Sequence, residues 1–82
     1  MKERVKQYIE YLVQEEKSEA TWKQYERDIL HFLRFAGEQD FTRELVLRYK
    51  EELQTKHRAS SVNVKLAALN GFFTFLERDD LR

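Results

Sequence analysis

The chain contains no cysteine and no proline, and it has only two glycines. Without cysteine it can form no disulfide framework, thiolate zinc site or thiol nucleophile, a composition that suits a reducing compartment. The two histidines, His31 and His57, are far apart and lack a metal-ligand spacing, so neither a metal nor a cofactor is expected. Gly37 and Gly71 stand alone, which excludes a glycine-rich phosphate loop. Apolar runs are short, too short for a membrane span or the apolar stretch of a secretory signal. The expectation is a chain that stays in the cytoplasm and does not enter a membrane.

The charge is also unbiased overall: fifteen basic and fifteen acidic residues cancel to zero. A neutral total gives no global pull toward a polyanion, so the distribution matters more than the sum. Acids gather at Glu15, Glu16 and Glu19, at Glu51 and Glu52, and at Glu77, Asp79 and Asp80. Between Leu53 and Leu76 there is no acid at all, only Lys56, Arg58 and Lys65 as cations.

What is present favours helices. Glu, Lys, Arg, Leu and Gln abound, and 41% of the 82 residues are hydrophobic, enough for one small core. Val5, Tyr8, Ile9 and Leu12 recur at helical spacing and predict a first helix from about Glu3 to Glu16. Ser18, followed by Glu19, predicts a capped start for a second helix with Trp22, Tyr25, Ile29, Phe32, Leu33 and Ala36 inward and Gly37 at its end. Thr42 is placed to cap a third helix, whose inner stripe is Leu45, Val46, Tyr49 and Leu53. The pattern breaks from Thr55 to Ala59.

Ser60 and Ser61 then offer capping hydroxyls to a fourth helix reaching about Arg78, with Val62, Leu66, Leu69, Phe73 and Leu76 on one face. Val64, Ala67, Ala68, Phe72 and Phe75 make the rest of that helix apolar too, so it belongs at the centre of the molecule. Gly71 and the alanines allow a neighbour to approach closely. Short links between four helices predict one compact all-α bundle over residues 1–82.

No catalytic constellation emerges. Tyr8, Tyr25 and Tyr49 fall on core stripes and read as packing residues, while Tyr11 and His31 fall on outer faces. The carboxylate pairs Glu15–Glu16 and Asp79–Asp80 are sequence neighbours and therefore diverge on a helix. The informative feature is a likeness between two helix beginnings. The second helix opens with Thr21, Lys23, Gln24 and Arg27; the fourth opens with Ser60, Ser61, Asn63 and Lys65, directly after Lys56, His57 and Arg58. Cations and free helix N–H groups hold phosphates, and Gln and Asn can read base edges, so this mixture suits DNA. The same residue types also cap helices and line solvated faces.

The run Ser18-Glu-Ala-Thr21-Trp-Lys-Gln-Tyr25-Glu-Arg-Asp28-Ile-Leu-His-Phe32 resembles the S-x-x-T-x-x-x-Y-x-x-D-L-x-x-F signature of the N-terminal core-binding domain of tyrosine recombinases, the phage-integrase family. Ser61-Val-Asn63-Val-Lys65-Leu66-Ala-Ala68-Leu69-Asn-Gly-Phe72-Phe73-Thr-Phe75-Leu76 resembles the S-x-N-x-K-L-x-A-L-x-x-F-F/Y-x-F-L helix of that domain, and Val5–Leu12 and Phe41–Tyr49 are similar to its first and third helices.

The resemblance implies a SAM-like helical bundle that grips one side of a recombination site while a separate catalytic domain closes on the other. The family's catalytic arginines, histidine and tyrosine lie in that second domain, so these 82 residues are expected to be non-catalytic. The implied partners are double-stranded DNA, the catalytic domain and neighbouring recombinase protomers. Position by position, the likeness puts Thr21, Lys23, Gln24 and Arg27, with Ser61, Asn63 and Lys65, against DNA. Val64 and Asn70 stand where relatives often carry a basic residue, which implies weak, salt-sensitive binding through about four or five phosphates. A second expectation, of another class, is a helical protein-interaction module using Leu30, Phe35, Leu47 or Phe75.

Overall fold

A computed structural model describes residues 1–78; the Asp79–Asp80 pair lies outside the described residues. The chain folds into four helices, α1 (Lys2–Gln14), α2 (Glu19–Ala36), α3 (Arg43–Lys56) and α4 (Ala59–Phe75), and the described residues include no strand. The predicted all-α bundle is therefore what forms. α2 and α4 pack on each other and each also meets both flanking helices, whereas α1 and α3 do not touch. α4 meets all three other helices, as its largely apolar surface predicts, but Val64 and Ala67 of that surface are exposed and have no helix over them.

The core follows the periodic stripes. Val5, Tyr8, Ile9 and Leu12 are buried from α1; Ile29, Phe32 and Ala36 from α2; Leu45, Tyr49 and Leu53 from α3; and Val62, Ala68, Leu69, Phe72 and Phe73 from α4. Trp22, Tyr25, Leu33, Val46, Leu66 and Leu76 pack at its edge and remain half-buried. Phe32 is the hub of an edge-to-face cluster, with ring centroids 5.1 Å from Tyr49, 5.3 Å from Phe41 and 5.8 Å from Phe73. Leu30, Phe35 and Phe75, predicted as exposed candidates for a partner, are instead half-buried against this core, and of that set only Leu47 stands clear of it, at 50% exposure. Tyr11 is exposed as predicted.

Helix ends show what local chemistry decides. Ser18 Oγ accepts from the Thr21 backbone N–H at 3.2 Å, and Thr42 Oγ1 accepts from that of Leu45 at 3.1 Å, so both predicted caps form. Gly37 ends α2 at φ 60° and ψ −127°, a conformation open to glycine. The fourth helix departs from expectation. It begins at Ala59 with Arg58 as a cap residue that makes no side-chain bond, so Ser60 and Ser61 lie within its first turn and do not cap it.

α1 and α4 also stop earlier than predicted, at Gln14 and Phe75. Each closes with paired backbone bonds. In α1 these are Glu16 N–H to Val13 and Lys17 N–H to Leu12; in α4 they are Glu77 N–H to Thr74 and Arg78 N–H to Phe73. The left-handed position in each motif is held by a glutamate, Glu16 at φ 61° and Glu77 at φ 60°. Gly71 permits a close crossing, because a Cβ there would run into the Tyr8 hydroxyl of α1.

Candidate nucleic-acid interface

The contact between α2 and α4 places the start of α4 beside the second and third turns of α2. Gln24, Arg27 and Asp28 face Ser60, Ser61, Val64 and Lys65 across an open cleft of about 300 Å³. A second cleft continues from it, where Lys23, Glu26, Arg27, His31 and Arg34 of α2 meet His57 from the α3–α4 link and Lys65 of α4. A third, toward α3, brings Lys56 and His57 near His31 and Arg34. Of the residues singled out in the sequence, Lys23, Gln24, Arg27, Lys56, His57, Ser60, Ser61 and Lys65 thus share a run of adjoining clefts on one surface. Thr21, Arg58 and Asn63 line none of these three clefts. Arg58 and Asn63 are exposed; Thr21 is half-buried with its hydroxyl 2.8 Å from that of Ser18, engaged in the cap of α2.

The cations of this surface are not equally available. Lys23 is paired with Glu19 and also lies 5.8 Å from the Trp22 ring, and Lys56 is paired with Glu52 at 2.7 Å. Both pairs are single-turn contacts on solvated side chains, which are worth only a few tenths of a kcal/mol and exchange readily for another anion. The lysines hold the Glu19 and Glu52 carboxyls below the ordinary carboxylate range, by hydrogen bond first and by charge second. Arg27 and Arg58 have no ion-pair partner among the described residues.

Lys65 differs from these four. Its Nζ donates to Asp28 Oδ1 at 3.1 Å, and the Asp28 side chain is only 3% exposed. This pair joins α2 to α4 beneath the cleft. It also ties together the aspartate of the first sequence signature and the lysine of the second, which lie 37 residues apart. Neither signature alone shows that the two residues are partners.

His31 is exposed, as its outer-face position predicts, and its ring is also engaged. Its Nδ1 lies 2.6 Å from the Tyr49 hydroxyl of α3. Helical periodicity assigned Tyr49 correctly to the core, but the polar tip of a core tyrosine needs a partner and sequence spacing does not say which. Burial first, and then the Asp28 carboxylate, push the Tyr49 phenol up to about 12, so it remains a protonated donor near neutral pH.

Among the described residues no group of His, Cys, Asp and Glu is arranged to hold a metal, and no helix is long and apolar enough to cross a membrane. No curated protein and no solved structure is similar enough to the chain to match it. The sequence model of one family does match, over residues 5–80, nearly the whole length. With four helices in the expected order and both signature helices packed against each other, the chain belongs to the phage integrase N-terminal SAM-like domain family.

Proposed function

We propose that the chain is a duplex-DNA-binding domain of a site-specific tyrosine recombinase, and that it meets the DNA along the α2–α4 clefts. The observation that carries this reading is the cleft shared by Gln24, Arg27, Ser60, Ser61 and Lys65: two separate basic, amide- and hydroxyl-bearing stretches of sequence converge on one surface of a neutral molecule. Arg27 and Arg58 supply unpaired charge to phosphates, and Lys23 and Lys56 exchange exposed glutamates for phosphates at small cost. His57 adds a further donor, and Ser60 and Ser61 present hydroxyls and first-turn N–H groups. Gln24 and Asn63 carry the amides suited to base edges, and Thr21 flanks them at the start of α2. The domain itself performs no chemistry in this reading. Its partners are duplex DNA, the recombinase catalytic domain and neighbouring protomers.

A titration of the 82-residue chain with a duplex at low salt, followed by amide NMR, tests the proposal. Shifts concentrated at residues 21–27 and 56–65 are expected. Log affinity should fall against log salt with a slope between about −2 and −4, because Arg27, Arg58, Lys23 and Lys56 are free or easily freed and Lys65 is not. Asn63→Ala and Gln24→Ala should relax sequence preference, whereas Arg27→Ala should weaken binding to cognate and random duplex alike. Shifts confined to surfaces away from the α2–α4 clefts, or no salt dependence, would refute the assignment.

A further inference from the structure

Beyond the residues assigned above, the same surface carries two groups with no role so far, His31 and Arg34. They line the second cleft together with Lys23, Arg27, His57 and Lys65, and they line the third with Lys56 and His57. Arg34 has no ion-pair partner among the described residues. The His31 ring is fixed through Nδ1 by Tyr49, and Nε2 has no protein partner among the described residues.

The charged and titratable neighbours of His31 come from every element around it. They are Lys23, Glu26, Arg27, Asp28 and Arg34 on α2, Tyr49, Glu52 and Lys56 on α3, His57 in the link and Lys65 on α4. Asp28 is taken by Lys65 and Glu52 by Lys56, and the third acid of the clefts, Glu26, is set against two arginines without ion-pair partners among the described residues, Arg27 and Arg34. The clefts around His31 therefore keep an excess of one uncommitted positive charge.

We propose that His31 and Arg34 form a further phosphate-binding site for the duplex backbone, in which the imidazole takes up one proton as the phosphate arrives. The proposal rests on the duplex-binding reading and extends it to a residue pair and a proton. In the neutral ring Tyr49 donates to Nδ1, and Nε2 carries the hydrogen. When the phosphodiester enters, Nδ1 gains a proton from solvent and donates to the Tyr49 oxygen, and Nε2–H donates to a phosphate oxygen. The bond between α2 and α3 reverses direction without breaking, so the tyrosine supports the ring in both states.

The free chain disfavours the imidazolium. Burial first, then Lys65, Arg34 and His57, lower the His31 pKa from 6.5, with Asp28 opposing them. A bound phosphate adds negative charge beside the ring and raises it again. Affinity for duplex is therefore greatest below the pKa of the free protein and declines as pH rises through that of the complex. Stability of the free chain runs the other way. A histidine whose folded pKa is depressed contributes stability above about pH 6.5 and loses it as pH falls through the folded value. Opposite trends over one pH window separate proton-linked binding from general acid unfolding.

The test is fluorescence anisotropy of a labelled duplex with the 82-residue chain, at fixed low salt, from about pH 5.5 to about pH 8.5. Each unit of induced pKa change is worth a factor of about ten in affinity, and a gain of about three- to tenfold toward the acid side is expected. Calorimetry in two buffers of different ionisation enthalpy should give net proton uptake that is lost in His31→Gln and kept in His57→Gln. Glutamine can still bond Tyr49 but cannot titrate. In the wild-type chain, the His31 ring resonances should titrate at higher pH with duplex bound than without, a readout that needs no variant. Uptake that survives His31→Gln, uptake abolished by His57→Gln, or an unmoved His31 titration would overturn the proposal. Binding with a flat pH profile overturns this site alone, whereas a chain that binds no duplex at any pH overturns the reading beneath it.

Discussion

Lys65 has a side chain 24% exposed and an ammonium seated on a carboxylate that is 3% exposed, so removing it does more than subtract a charge from a surface. Lys65→Ala strands Asp28 between α2 and α4, and a buried carboxylate left without its partner costs about 1–3 kcal/mol. Urea denaturation should show that loss, and the double variant Asp28→Leu with Lys65→Met should recover most of it, because two apolar side chains leave no unpaired charge behind. A single-variant change under about 0.5 kcal/mol would mean that the pair is structurally idle. At this scale much of the sequence was legible. Ser18 and Thr42 were readable as caps because their partners are three residues away. The Asp28–Lys65 and His31–Tyr49 contacts were not, since each joins residues from different helices whose meeting depends on the packed bundle. His31 does lie on an outer face, but helical periodicity specifies a direction and not what another helix brings there.

Helix termination shows a different limit of sequence reading. Gly37 announced the end of α2, yet α1 and α4 end through a positive-φ position held by glutamate, a placement that no preference for glycine would have suggested. Non-glycine residues in that region cost about 1 kcal/mol, so Glu16→Gly should raise stability by about 0.5–1 kcal/mol, measurable as an upward shift in melting temperature. A fall would show that the Glu16 side chain contributes more than its backbone costs. The expected serine caps of α4 failed for a related reason. Arg58 already adopts the extended backbone required at the cap position, so the helix starts one residue before the first serine. Stripe positions were far more secure than boundaries. The inward residues of all four helices follow from spacing that repeats several times, whereas each boundary rests on one or two residues.

For the whole molecule, the bundle and its central helix were readable because α4 is apolar over much of its circumference, although it keeps one face toward water at Asn63, Val64, Ala67 and Asn70. What sequence could not supply was the lateral arrangement, with α1 and α3 flanking a joined α2–α4 pair and making no contact with each other. That arrangement also places the candidate DNA-binding cations around α2, the α3–α4 link and the start of α4, away from most of α1. It carries a consequence for dynamics. With no shared boundary, the two outer helices can open one at a time, each sensing the other only through the inner pair. Native-state hydrogen exchange should therefore resolve the fold into units: slow amides in α2 and α4 that report global unfolding, and faster, mutually independent exchange in α1 and α3. Weakening the α1 contact should accelerate exchange in α1 and leave α3 unchanged, so the N-terminal helix can come and go while α2, α3 and α4 stay packed.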